Sequence, residues 1–481
     1  MSATRPNVLL VCVDHWPGPL LGCSGHESVL TPTLDELAAN GTLFTQAYTA
    51  TPSCIPARRA LMTGTTARTH GDRSFDEHLP MNPGLSTMPQ VFREHGYRAC
   101  AVGKLHVYPQ RDRIGFDEVI LCEEGRHHLG GNVQDDFERF LVRQGHAGRE
   151  LTHGMGNNVY TTRPWHLPEE CHPTNWTVRQ MCETIQRRDP TRPAFWYASF
   201  IAPHPPVVPP QAYYDMYERL GVDEPVVADW ARDTEAMPYA LRLHRQRVDR
   251  PSSAAAARLA RQAFYGQCTY IDHQIRLLIG CLREEGLLDD TIVMFTSDHG
   301  DMLGHHDLWA KPPMLEWSAK IPLILMPTAA YAPSGHHVRD DRLAELRDIM
   351  PTLLDLCDLP VPDSVEGLSL VSQERRDHLY CEHFEDEKAM RMVRSGAHKL
   401  IWYPVGNRMQ LFDVDNDPME LHDLADESDT VGVRERLTQL LVAEIYGSDE
   451  QWVSGGVLTG EPDRDLAPMP NRGLNGQRGW R

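Results

Sequence analysis

Six short stretches of this chain carry side chains that could do chemistry together. In Cys54-Ile-Pro56-Ala-Arg58 a cysteine precedes a short helical pattern that ends at Gly64. A cysteine at a helix N-terminus lies where unpaired N–H groups and the dipole favour an anion. Arg58, one turn later, adds a fixed positive charge on the same side. Asp14 closes the apolar run that starts at Val8, and Asp298-His299 closes another that starts at Thr291. Two carboxylates and an imidazole at such strand ends suit a divalent cation; hard oxygens favour Ca²⁺, Mg²⁺ or Mn²⁺, and the imidazole tilts the balance toward Mn²⁺ or another transition metal. In Gly103-Lys104-Leu-His106, residues two apart on an extended segment share a face, so Lys104 and His106 reach one pocket. His204, in Pro-His-Pro-Pro, and Lys311, in Trp-Ala-Lys-Pro, add a proton donor and a cation. Each stretch alone has an ordinary structural explanation, as a cap, a core cysteine or a surface lysine; their co-occurrence is what points to a site.

In this order the motifs resemble the type I sulfatases of the alkaline-phosphatase-like superfamily, over most of the chain from Pro6 to about Glu427. The resemblance implies that Cys54 is oxidised to formylglycine by a formylglycine-generating enzyme, and that the hydrated aldehyde is the nucleophile. It implies one divalent metal ion, Ca²⁺ or Mn²⁺ ahead of Mg²⁺, held by Asp14, Asp298, His299 and the oxygen derived from Cys54. Lys104 is then expected to contact a sulfate oxygen, His106 to orient the diol, and His204 or Lys311 to assist the departing alcohol. The substrate implied is a small sulfate ester. Ala57 stands where serine is commoner. Asp14-His15 replaces the two consecutive acids of many relatives, and His15 is expected to stay off the metal. Asp298-His299, in place of Asp-Asn, resembles the choline-sulfatase and phosphonate monoester hydrolase branches. The alternative activity is therefore phosphonate monoester or phosphodiester hydrolysis with the same nucleophile, although Gly-Lys-x-His favours the sulfatase. An inactive binding scaffold is opposed by the retention of every motif residue.

Strands and helices must alternate to position these groups. Residues 8–13, 98–102, 193–200 and 291–296 read as strands, as does 321–326, which Pro322 places near an edge or a bulge; 43–48 reads as a short strand, and 33–40, 86–95, 174–187, 254–285 and 346–356 as helices. That pattern predicts an α/β fold, a large mixed, mostly parallel sheet sandwiched by helices, with polar residues gathered at the carboxyl ends of the strands where such sheets bind ligands. A short helix is expected near 135–143 within long loops, and 207–250 reads as an insertion. Beyond 376 the pattern changes to short antiparallel strands at 377–384, 389–393, 398–403 and 409–413, then a helix at 433–445. The expected division is a catalytic domain over 1–375, a C-terminal α+β subdomain over 376–446, and a tail over 447–481 that is either loose or an arm gripping another copy in a homo-oligomer.

Composition narrows the partners. A formal net charge of −20 excludes a nucleic-acid face and requires a locally positive pocket for any anionic substrate. No apolar run approaches the ~20 residues of a membrane span. The eleven cysteines are scattered without a repeated Cys-x-x-Cys, as expected of reduced, buried thiols in a cytoplasmic protein. Histidines outside the motifs, among them His127, His128, His153, His172 and His336, read as structural or solvated.

Overall fold

The run Asn7–Val13, buried from Val8 onward, forms strand β1 near the middle of the main sheet. A computed structural model describes residues 5–124, 134–329 and 337–474; His127, His128 and His336 lie outside them. After β1 come helix α1 (Pro32–Ala39), strand β2 (Thr42–Tyr48), helix α2 (Cys54–Thr63), and strands β3 (Arg98–Gly103), β4 (Glu118–Leu121), β5 (Ala194–Ser199), β6 (Thr291–Ser297), β7 (Leu323–Met326) and β8 (Val338–Glu345). They make an eight-stranded sheet of order β4-β3-β5-β1-β6-β7-β2-β8. Its first five strands are parallel, and β7 runs antiparallel to β6 and β2.

Register sets the site. Gly103 pairs with Ser199, Cys12 also pairs with Ser199, and Val13 pairs with Ser297. The carboxyl ends of β3, β5, β1 and β6 therefore finish level, and the residues that follow emerge along one rim. At Gly103 the chain turns out of β3 with φ +106°, and a Cβ there would lie 1.8 Å from the Ser199 carbonyl oxygen, so only glycine fits.

Both faces of the sheet are covered, which is why its inner strands read as unbroken apolar runs. One face packs Val11, Val13, Trp196 and Phe295 against the 31-residue helix Ala254–Glu284 and the helix Pro173–Gln186. The other packs Val8, Leu10, Phe195 and Met294 against α2 and the helices Met88–Glu94 and Ile349–Leu356. A second sheet, β9 (Leu379–His383), β10 (Met390–Ser395), β11 (His398–Tyr403) and β12 (Arg408–Asp413), is antiparallel and carries the helix Val431–Glu444 on its own core.

Several features differ from the sequence reading. The edge strands β4 and β8 were not anticipated: β4 is short and mostly half-exposed, and β8 is built from Val-Arg-Asp-Asp-Arg-Leu-Ala-Glu, which has the charge of a loop. The stretch 207–250 contains the helices Gln211–Leu220, Asp229–Arg232 and Tyr239–Arg247. Residues 447–474, where a loose tail or an arm was expected, fold back on their own chain: Trp452 and Leu458 join the core of the second sheet, and Asp449 is buried between Arg73 and Arg391. Among the described residues no helix is long and apolar enough to cross a membrane.

Candidate active site

Cys54 is the first residue of α2, after Ser53 in extended conformation. It is 1 % exposed, and burial, with Asp14 adding to it, pushes its thiol up to about 12. The unmodified thiol is therefore protonated at neutral pH and a poor nucleophile. Around Sγ converge His299 Nε2 at 3.2 Å, Lys311 Nζ at 3.4 Å and Asp14 Oδ1 at 3.6 Å. These groups come from helix α2, from the residues just beyond β6 and β1, and from the loop that follows β6. The level strand ends of the sheet bring them together.

Arg58 lies one turn along α2 and is 3 % exposed. Its Nε donates to Asp298 Oδ2 at 2.8 Å, and its Nη1 donates to the Lys104 carbonyl at 3.0 Å and to Ser199 Oγ at 2.8 Å. It thus fastens α2 to the ends of β6, β3 and β5. Nη2 has no hydrogen-bond partner and stands 3.7 Å from Asp14 Oδ2.

Lys104 is wholly buried between two carboxylates, donating to Asp14 Oδ2 and Glu124 Oε1. Burial opposes the charge of Asp14, yet Lys104 and the surrounding histidines hold its carboxyl well below the usual range. The same balance of burial against Lys104, His204 and His106 holds Glu124 low. His106 turns at φ 61°, its amide donates to Glu123 Oε1 at 3.0 Å, and its Nδ1 lies 3.6 Å from Glu124 Oε1. Lys104 and His106 do share a face, and what they share there is Glu124.

His204 places Nδ1 2.5 Å from the Pro205 carbonyl and Nε2 3.5 Å from Glu124 Oε2. Burial lowers it to about 4, with Glu124 opposing. The ring is neutral at pH 7, with Nδ1–H donated to Pro205, so Nε2 presents a lone pair. His299 is likewise held well below its usual value by burial and Lys311, and its Nδ1 lies 2.9 Å from the Gly300 carbonyl.

Three residues enter the site that the motif reading left out. Glu124 follows β4, at the same kind of strand end as Asp14 and Lys104, and it was missed because β4 was. His15, expected to stay off the metal, stands with Asp14, Cys54 and His299 in a buried group whose ligand atoms all lie within 4.8 Å of one another. Its backbone at φ 68° turns the ring inward, Nδ1 donates to Asp301 Oδ2 at 2.8 Å, and Lys311 Nζ donates to Nε2. Asp301, only three residues past Asp298, is fixed by the amides of Leu303 and Ala310 and the hydroxyl of Tyr160. Asp298, expected in the donor set, is not in that group: its Oδ2 accepts from Arg58, and its Oδ1 accepts from the His299 amide and lies 3.7 Å from His299 Nε2.

A carboxylate and two imidazoles around Cys54 fit a divalent ion that accepts mixed oxygen and nitrogen donors. The His15–Asp301 bond fixes the tautomer and tilt of an imidazole that could hold the ion.

Buried lysines and an arginine beside a nucleophile position and a cation site, at the carboxyl edge of a parallel sheet, define a hydrolase of anionic esters. Comparison with known proteins agrees. The Sulfatase family profile matches residues 6–359, and the profile described as N-sulphoglucosamine sulphohydrolase, C-terminal, matches 304–446. An arylsulfatase of Clostridium perfringens is 35 % identical over 473 residues, covering 94 % of this chain and 97 % of the relative. A choline-sulfatase of Rhizobium meliloti is 28 % identical, covering 89 % and 83 %. The crystal structure of a phosphonate monoester hydrolase of Agrobacterium radiobacter superposes with a TM-score of 0.80 at 25 % identity, over 91 % of this chain and 95 % of the other. The chain belongs to the sulfatase family and is a sulfuric ester hydrolase.

Proposed function

We propose that the protein hydrolyses small sulfate monoesters with a nucleophile made from Cys54. The observation that carries this reading is the convergence of His299, Lys311 and Asp14 on Cys54 Sγ at the N-terminus of α2. A divalent ion, Ca²⁺ or Mn²⁺ ahead of Mg²⁺, supplies Lewis acidity when bound, and a formylglycine hydrate at position 54 supplies the attacking oxygen. Asp14 and His299 would hold the ion with that oxygen, and Asp298 or His15 would complete the set.

The chain's own residues do the rest. Lys104 and Lys311 flank the position of the sulfuryl group, where their ammonium groups offset charge developing on its oxygens. Arg58 locks α2 to the sheet and leaves Nη2 facing Asp14. Lys311 is placed to give a proton to the departing alkoxide. His204, neutral with its N–H committed to Pro205, carries no proton on Nε2 and is the weaker acid. The eleven free cysteines support a reducing, cytoplasmic setting, and with this reading go a formylglycine-generating enzyme as maturation partner and a homo-oligomeric assembly.

Phosphonate monoester hydrolysis is the second reading, favoured by the fold similarity to the Agrobacterium enzyme. The test is peptide mass mapping of residue 54 followed by kcat/KM on phenyl sulfate and phenyl phenylphosphonate. Conversion at Cys54 with sulfate preferred is the expected result; a preference for the phosphonate moves the assignment to the second reading, and full activity of C54A removes both.

A further inference from the structure

His204 and Glu124 face two ways. Besides the catalytic centre they line a narrow cavity whose other walls include Glu150, Asn157, Trp165 and Gln267. Among the described residues no lysine or arginine lines it. Asn157 Nδ2 donates to the Glu124 carbonyl at 3.0 Å, and Trp165 Nε1 donates to the Pro168 carbonyl at 3.3 Å, so both side chains are held in place.

Gln267, on the helix Ala254–Glu284, is the feature that points to a ligand. It is 2 % exposed, its Nε2 donates to the Pro206 carbonyl at 3.4 Å, and its Oε1 has no hydrogen-bond partner. The bond to Pro206 fixes the amide orientation, since that carbonyl can only accept, and so leaves the glutamine oxygen as the open atom. A buried carbonyl oxygen without a partner is costly unless something donates to it.

We propose that this cavity receives the alcohol part of the sulfate ester, and that the alcohol is compact, carries no second anionic group, and presents an O–H or N–H donor to Gln267 Oε1. The proposal rests on the sulfatase reading above and narrows it. A multiply sulfated or carboxylated sugar would bring further anions against Glu124 and Glu150, with no lysine or arginine among the described lining residues to meet them. A hydroxyl or ammonium instead completes Gln267 and suits the acidic wall. Gln267 is thus a specificity residue, acting through the leaving group and not on sulfur.

Three aryl sulfates test this on enzyme whose Cys54 conversion has been checked by mass: 4-hydroxyphenyl, 4-methoxyphenyl and 4-carboxyphenyl sulfate. The first two phenols are matched in acidity, so their kcat/KM ratio reads the donor contact. The hydroxyl ester is expected about tenfold or more above the methoxy ester, and the carboxyl ester below both despite its better leaving group. Gln267→Met is expected to lose the hydroxyl preference. A methoxy ester as good as the hydroxyl ester, a preferred carboxyl ester, or an equal loss on all three in Q267M overturns the proposal. The wild-type ratios decide the question even if Q267M does not fold. Should all three esters fail while phenyl phenylphosphonate turns over, it is the sulfatase reading that has failed.

Discussion

Arg58 Nε donates to Asp298 Oδ2 at 2.8 Å, and both side chains are buried. This one bond joins the helix that begins at Cys54 to the end of the strand that delivers His299. Asp298 keeps its other oxygen, Oδ1, 3.7 Å from Nε2 of His299, which belongs to the group formed with Asp14, His15 and Cys54.

Metal content separates the two choices for the fourth ligand. If His15 completes the set, H15A loses the ion while Asp298→Asn keeps it and slows turnover through Arg58. The opposite pattern in elemental analysis returns Asp298 to the donor set. Either active-site change is expected to cost about 10²–10³ in kcat.

Lys104 and Glu124 form a graded pair. On the proposed reading Lys104→Ala removes a contact to the sulfuryl oxygens, and it is expected to lower kcat by about 10²–10³. Glu124→Gln keeps the lysine but leaves Asp14 as its sole carboxylate partner, and a smaller loss, about tenfold in kcat without a rise in KM, is expected. Steady-state kinetics on one aryl sulfate measures both, and a larger effect in E124Q than in K104A contradicts the ranking.

Asp449 should be a stability determinant outside the candidate site. It accepts from Arg73 Nη1 at 3.0 Å and from Arg391 Nε at 2.6 Å, and it is fully buried. Asp449→Ala leaves two guanidinium groups short of their counter-charge, so a loss of about 3–5 kcal/mol is expected by denaturant titration. A loss below about 1 kcal/mol would mean that 447–474 are only loosely docked.

His244 gives a pH signature. It is half-buried, its ring is held 2.8 Å from the Trp309 carbonyl, and removal from water lowers it to about 4. The folded value lies below the unfolded one, so between pH 6.5 and 4 the unfolded chain binds a proton that the native ring refuses. Stability from this residue is present above pH 6.5 and is lost as pH falls toward 4. The pH dependence of unfolding should be shallower in H244Q by up to about 1.4 kcal/mol per pH unit in that window; parallel curves would contradict the assignment.

The inner strands were legible because burial on both faces demands continuous apolar runs, and 291–296 in the sequence became Thr291–Ser297 in the fold. The edges were not. β8 carries Arg339, Asp340, Asp341 and Arg342, which an edge strand tolerates and pattern reading takes for a loop. The site divided along the same line. Asp14, Lys104, His204 and Asp298 announced themselves by following recognisable strands, whereas Glu124 followed the unrecognised β4. His15 was visible as a residue, but its inward turn depends on Asp301 and on a positive φ, neither of which spacing reveals. Asp298 was read as a ligand from its place at a strand end; what the sequence did not show is its bond to Arg58, 240 residues away.

The depth of Cys54 sets an order of events. With its side chain 1 % exposed beneath His299 and Lys311, no enzyme can handle the thiol once β1, β6 and α2 have closed. On the reading in which Cys54 becomes formylglycine, its oxidation would have to come first, on a chain still open at residues 51–64, with folding sealing the product in place. On that reading a molecule that folds unmodified stays inert, and the active fraction of any preparation records a race between modification and closure.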